Sequence, residues 1–527
     1  MEIEKQKKIV NYFLKKEIFL SQGFLDSLTD DFEPSDFYSL LFKKLKSRNF
    51  LMLTSDVKKM VDQDAPLDMN WVDFDNARVS FEKGKNKEVY FKFVDFLHSE
   101  DVDNKPESQN IKIINSYEEE SKKRDIQDFV SYFNVRYKAL EKILRSRPDL
   151  RNLTSITRLN SKQDKDNVSI IGIVKDKKTT SKGGLMLTLE DPTGCIKVYV
   201  NNNKPELFNP AQDIVLDEVI GVVGVNGDNI VFANNIIWPE VPLSKELRKA
   251  PEEAYAVFLS DVHVGSDHFL GKEFNQFLDW INGNTGNQEQ KNIAEKTKYV
   301  FIVGDLVDGH GIYPGQEDEL VIKDIKKQYE ECASLLKKIP QHINLIISPG
   351  NHDAMRIAEP QPTLYKDFAG SIWELPNVTM VSNPSTVNIH SSGDFPGFDV
   401  LLYHGYSFDY FVANIDSIRN KGGYNRADLI MQFLLQKRHL APSHTSTLYI
   451  PNTSKDPLVI ETLPDIFITG HIHKSTIKNY RNITLVCGSC WQSKTPFQEK
   501  VGHNPEPARV PILNLQTRKF KLLKFGK

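Results

Sequence analysis

The chain has 527 residues, a formal net charge of −3 and 40% hydrophobic residues, enough for about three or four domains. No segment approaches the roughly 18–20 apolar residues of a membrane span, and the start, MEIEKQKKIV, lacks the apolar core of a secretion signal, so a cytoplasmic protein without a membrane partner is expected. Four cysteines do not make a disulfide framework in so long a chain, and the near-neutral balance argues against a domain that grips DNA unaided, so any DNA contact is local or shared with a partner.

Residues 1–75 read as a small helical domain. Ile9, Phe13, Ile18, Phe19, Phe24, Leu25 and Leu28 recur near helical spacing, and Ser35 and Asp36 suit the cap of a helix through FYSLLFKKL. Residues 76–123 have the composition of a flexible linker, most clearly in SEDVDNKPESQN, although EVYFKFVDFL at 88–97 fits a short strand or helix. Over 124–149 a connecting helix is expected, with Phe129, Val130, Phe133, Tyr137, Leu140 and Leu144 on its packed face and Pro148 as its stop.

Between 150 and 240 the pattern changes to five short strands separated by turn signals, which predicts an all-β barrel of the oligonucleotide/oligosaccharide-binding type. Its aromatics are few, Tyr199, Phe232 and Trp238, so protein docking is the favoured use over single-strand stacking. Residues 250–527 alternate apolar runs with helix-period stretches at Phe274–Ile281, Leu320–Ile339 and Ala427–Leu435, which predicts an α/β/α sandwich. The tail RKFKLLKFGK suits an edge strand guarded by lysines.

Within that last domain, five apolar runs each end in chemistry-bearing residues. YVFIVGDLVDG carries Asp305 and Asp308; AVFLSDVH, Asp261 and His263; INLIISPGNHD, Asn351, His352 and Asp353; VLLYHG, His404; and DIFITGHIH, His471 and His473. Parallel strands bring such tips to one crevice. Mixed imidazole, carboxylate and carboxamide ligands suit first-row divalent ions, and two ions sharing a carboxylate need about seven protein ligands. Asp261, His263, Asp305 and His473 are assigned to one ion, and Asp305, Asn351, His404 and His471 to the other, with Asp305 bridging. His352 is left to protonate a leaving oxygen or steady a charged transition state, while Asp308 and Asp353 orient ligands or close turns.

Other residues have competing readings. Lys421, Arg426, Lys437 and Arg438 are candidate contacts to a phosphate backbone, a solvated helix face being the equal alternative. Cys487 and Cys490 form a C-x-x-C without a second pair and read as buried core thiols rather than a zinc site. His310 reads as a rim or plain surface residue, and His268, His439 and His444 receive no role.

In order, D-x-H at Asp261, G-D-x-x-D at Gly304, G-N-H-D at Gly350, the lone His404 and G-H-x-H at Gly470 resemble the calcineurin-like metallophosphoesterase superfamily. GIYPGQEDEL at Gly311, AEPQPTL at Ala358 and HGYSFDY at His404 are similar to the small subunits of archaeal family D DNA polymerases, over most of the chain from about Leu153 onward. That resemblance implies a dinuclear-metal 3′–5′ exodeoxyribonuclease that proofreads DNA as one subunit of a DNA-directed DNA polymerase. It also implies a large catalytic subunit as partner, with sliding clamp and primase reached through the complex. Manganese is the first choice of metal, with zinc or iron as alternatives. The competing functions are a non-catalytic polymerase scaffold and a phosphomonoesterase.

Overall fold

A computed structural model describes residues 111–118, 123–161, 165–500 and 502–526 together with parts of 3–58. EVYFKFVDFL, SEDVDNKPESQN and most of the expected linker lie outside the described residues. The chain divides into two compact units, Met1–Ser108 and Gln109–Lys527. No helix among the described residues is long and apolar enough to cross a membrane.

In the first unit, helices Ile3–Leu14 and Pro34–Leu45 pack with two short parallel strands, β1 (Phe19–Leu20) and β2 (Met52–Leu53), around Phe13, Phe24, Leu41 and Leu53. The expectation of helices alone misses this ribbon. Ser35 and Asp36 also lie inside the first turn instead of capping it, because Pro34, whose fixed φ suits a helix start, already opens the helix.

The second unit begins with a strand where a linker was expected. β3 (Lys112–Asn115) pairs antiparallel with β13 (Ser385–Ile389), and Tyr117 N–H donates to Ser382 Oγ at 2.7 Å. Its Ile113 and Ile114 stay about half exposed, so backbone pairing rather than apolar burial holds it, and no hydrophobic period marks it in the sequence. The helix Ile126–Arg145 starts on a reciprocal cap, Asp125 accepting from Asp128 N–H and Asp128 from Asp125 N–H. It buries Tyr132, Arg136, Tyr137, Leu140 and Leu144. Phe129 and Val130, expected on the packed face, are 37% and 46% exposed, so that face is rotated towards Tyr132 and Arg136.

The five barrel strands are β4 (Asn167–Thr179), β5 (Leu185–Asp191), β6 (Gly194–Val200), β7 (Val219–Asn226) and β8 (Ile230–Ile237). They close in the order β4-β5-β6-β8-β7, so every edge is paired. Ile170, Val174, Leu187, Val198, Val222 and Val231 fill the interior.

Beyond the barrel lie two mixed six-stranded sheets. One runs β12 (Val378–Met380), β11 (Asn344–Ser348), β10 (Thr297–Val303), β9 (Tyr255–Leu259), β18 (Arg509–Asn514), β19 (Phe520–Lys524). The other runs β16 (Thr476–Tyr480), β17 (Ile483–Cys487), β15 (Ile466–Thr469), β14 (Phe398–Leu402), β13, β3. The tail is the edge strand β19, antiparallel to β18. A single sheet between helices was expected; instead two sheets face each other, with helices outside both. Tyr299, Phe301 and Val303 of β10 share the inner core with Val400 and Leu402 of β14, whereas Val300 and Ile302 point to the outer helices. Period-2 alternation is thus buried on both sides, and the sequence shows only a continuous apolar run.

Candidate metal centre

The crevice forms where the carboxyl ends of β9, β10 and β11 in one sheet meet those of β14 and β15 in the other. Backbone bonds tie neighbouring tips: Asp261 N–H donates to Gly304 carbonyl and His263 N–H to Asp305 carbonyl, both at 3.0 Å. Asp261, His263, Asp305, His471 and His473 all have left-handed backbone, with φ between 51° and 70°. For non-glycine residues this conformation costs about 1–3 kcal/mol each and persists only where surrounding contacts impose it. Three motif glycines supply room for the ligands. A methyl group at Gly304 would strike the His404 imidazole, at Gly350 the Asp305 carboxylate, and at Gly470 the Asp261 carboxylate.

All seven candidate ligands converge. His263 and His473 face each other through Nε2 at 3.1 Å, and His473 Nε2 is 3.3 Å from Asp261 Oδ1. On the other side, His404 Nε2 lies 3.0 Å from Asn351 Oδ1 and 3.3 Å from Asp305 Oδ2, and His471 Nδ1 is 2.9 Å from Asn351 Oδ1. Asp305 Oδ2 is 3.9 Å from His263 Nε2, so it stands between the two halves.

The second nitrogen of each imidazole is held from outside. His263 Nδ1–H donates to Asp308 at 3.0 Å, His404 Nδ1–H to the Val303 carbonyl at 2.9 Å and His471 Nε2–H to Asp409 at 3.0 Å, while the Gln498 amide lies 2.9 Å from His473 Nδ1. Carboxylate and carbonyl partners leave the inward nitrogens of His263, His404 and His471 as acceptors in their neutral rings, whereas the Gln498 amide nitrogen donates to His473 Nδ1 and leaves that ring's proton on Nε2; the inward lone pairs crowd together as metal ligands do. The donor set therefore fits divalent metal.

The field agrees. Burial pushes the Asp305 carboxyl up, but the imidazoles of His404, His352 and His263 outweigh it and hold it well below the usual range. Burial alone would lower His404; Asp305 and Asp261 override that and push it up to about 10. Such a pull on a proton is a pull on any cation at that point.

The remaining site residues have distinct positions. His352 Nδ1 is 2.8 Å from the Asp308 carbonyl, and its N–H donates to Asp305 Oδ1 at 2.8 Å, with the ring edge-on to His263. Asp308 also accepts from Gln492 at 2.8 Å and Gln316 at 3.0 Å. Asp353 accepts from Asp305 N–H, Gly350 N–H and the Tyr329 hydroxyl. Sequence reading missed Asp409, Gln316, Gln492 and Gln498. Asp409 stood in view, five residues after His404, but nothing local tells which way an acid on the helix Phe408–Asn414 points.

Two of the four expected DNA contacts need correction. Lys437 is buried against Glu218 at 2.8 Å, and Arg438 is buried with Nε on the Ile460 carbonyl at 2.6 Å. Neither offers a cation to a phosphate. Arg426 is forked onto Asp428 at 2.8 Å on both arms. Lys421 is exposed and lines an 850 Å³ cleft between barrel and sandwich with Lys177, Asp213 and Asp416. Cys487 and Cys490 are buried thiols, with burial pushing Cys487 up to about 12.

Two facing mixed sheets thus bring their strand tips, with the histidines and carboxylates they carry, into one crevice. The family model for the B-subunits of DNA polymerases alpha and epsilon matches residues 256–478. The DNA polymerase II small subunit of Methanothermobacter thermautotrophicus is 35% identical over 521 residues, covering 98% of this chain and 100% of that one. Its counterparts in Archaeoglobus fulgidus and Pyrococcus furiosus are 41% and 38% identical, over 74% and 76% of this chain and 75% and 64% of theirs. The chain belongs to the small subunits of archaeal DNA polymerase II, the family D enzymes. A solved archaeal phosphodiesterase aligns to 51% of this chain and 98% of its own at 12% identity, with a TM-score of 0.25.

Proposed function

We propose that this chain is a two-metal 3′–5′ exonuclease acting on DNA, and that it pairs with the large catalytic subunit of the polymerase to remove misincorporated ends. The observation that carries this reading is the convergence of seven ligand-type side chains, His263, His473, Asp261, Asp305, Asn351, His404 and His471, on one crevice. These residues would hold divalent ions, manganese first, whose chemistry when bound would be to polarise a phosphoryl oxygen and acidify water towards neutrality. Asp305 spans the two positions. Asp308, Asp409 and the Gln498 amide keep three imidazoles aimed inward, and His352, whose Nδ1–H is held on the Asp308 carbonyl, in its protonated form gives the Nε2 proton or a hydrogen bond to the leaving oxygen.

The purified chain should degrade single-stranded or mismatched 3′ ends with manganese and stop with chelator, while Asp305→Ala falls to background and loses metal. Preference for a phosphomonoester would replace this reading with a phosphatase, and metal binding without hydrolysis would leave a scaffold. The barrel, with Phe232 48% exposed on its outside, serves as the docking face for the large subunit. A chain beginning at Gln109 should retain that partner in a pull-down. Failure of the folded chain to bind would place the docking face in the first unit.

A further inference from the structure

The rim of the crevice carries two aromatic rings that metal binding does not use. Tyr313 and Phe497 stack with centroids 5.0 Å apart and planes 15° from parallel. Each is anchored close to a candidate ligand. Beside Tyr313, Ile312 N–H donates to the fully buried Gln316, whose amide donates to the Asp308 carbonyl at 2.7 Å and to Asp308 Oδ2 at 3.0 Å. Asp308 in turn holds His263. Phe497 directly precedes Gln498, the residue against His473 Nδ1. The pair is thus tied by short stretches of chain to the residues that hold His263 and His473.

Packing does not account for Phe497. It is 45% exposed, on a short helix, Pro496–Lys500, with no buried residue. Tyr313 is tethered at its edge by a 2.8 Å bond from its hydroxyl to Glu319, which leaves the ring plane fixed. Lys494 and Lys500, three residues to either side of Phe497, are both exposed. A rigid aromatic plane with exposed lysines three residues away on each side in sequence, next to the crevice read above as acting on DNA, has the chemistry of a nucleotide subsite, because every nucleobase offers a π-face and stacking is tolerant of sequence. We infer that Tyr313 and Phe497 form a stacking platform for the nucleobase of the 3′-terminal nucleotide, the one released by cleavage. This inference rests on the reading of the crevice as acting on DNA 3′ ends.

The test uses the full chain loaded with manganese and oligonucleotides whose terminal linkage is made non-hydrolysable. Parent protein should quench a terminal 2-aminopurine on binding. Phe497→Ala should abolish the quench and bind roughly 5- to 150-fold more weakly, with unchanged metal content and melting temperature; Phe497→Trp should restore both readouts. Removing the terminal base should cost the parent a similar factor and the Phe497→Ala variant nothing. Equal costs in both proteins, or a variant that binds as the parent does, would overturn the platform. A variant that has lost metal would also overturn it, by placing Phe497 in the support of the ligands. A parent that cleaves 3′ ends yet shows no such coupling keeps the nuclease reading and loses only the platform, whereas a parent that neither binds nor cleaves DNA removes the nuclease reading itself.

Discussion

Two buried knots of histidine and aspartate lie in the second unit, and they are built to opposite ends. Around Asp456, every acceptor meets a donor: Arg136 Nε at 2.8 Å, His439 Nε2–H at 2.9 Å and the Tyr132 hydroxyl at 2.8 Å, while His439 Nδ1 takes the Ala441 N–H. In the crevice, imidazole nitrogens crowd carboxylate and carboxamide oxygens from several sides, and no arginine or hydroxyl donor stands among these pairs. Residue type and burial are alike in the two places. What separates a structural clasp from a candidate metal centre is whether the lone pairs are already spoken for.

The largest effect that can break this comparison is catalytic. His352→Ala should slow single-turnover cleavage about 10²–10⁴-fold while keeping metal content, as judged by mass spectrometry. Loss of metal would make it a ligand, and a parental rate would remove it from the chemistry.

Asp456→Ala should do the reverse. It strands the Arg136 guanidinium, both side chains being essentially buried, so stability should fall by about 3–5 kcal/mol in urea unfolding with metal content of the folded protein unchanged. Metal loss in that variant would dissolve the distinction between the two knots.

A smaller effect lies in the pH dependence of the clasp. Burial, reinforced by Arg136, pushes His439 down from 6.5 to about 4. The unfolded chain therefore binds more protons between those values, and stability should decline as pH falls from about 6.5 towards 4. The decline amounts to something on the order of 3 kcal/mol, levelling below that window. A His439→Gln variant should lack this portion of the slope; an unchanged difference curve would mean that His439 titrates normally.

The smallest effect belongs to Asp409, which makes the crevice's outward contact to His471. Asp409→Ala should weaken metal affinity about 10–100-fold in a chelator competition, and Asp409→Asn should recover part of it. Affinity unchanged in the alanine variant would show that His471 is aimed by its strand tip alone.

How much of this was legible follows from where each signal resides. The seven candidate ligands could be picked out because each ends a local apolar run, and the barrel because turns punctuate its strands. That the tips belong to two sheets could not be read: Val300 to Val303 are buried on both faces, so their sequence does not say which face meets a helix and which a second sheet. Lys437 and Arg438 read as surface charges because helix period sees no partner, and Glu218, which takes Lys437 inside, is more than 200 residues away. The Asp456 clasp was invisible for the same reason, Arg136 and Asp456 being 320 positions apart. β3 failed differently: an edge strand held by its backbone leaves almost nothing in its side chains to find.

The close approach at Gly304, Gly350 and Gly470 sets a limit on what variation the lineage can carry. A single methyl group at any of these positions deletes no donor atom, yet it occupies the space of a ligand side chain, with Asp261, Asp305 or His404 displaced. A descendant could keep every histidine and carboxylate of the crevice and still be unable to hold metal. Among related chains, then, an intact roster of ligands is not proof of a working centre, and the glycines are the positions to inspect first.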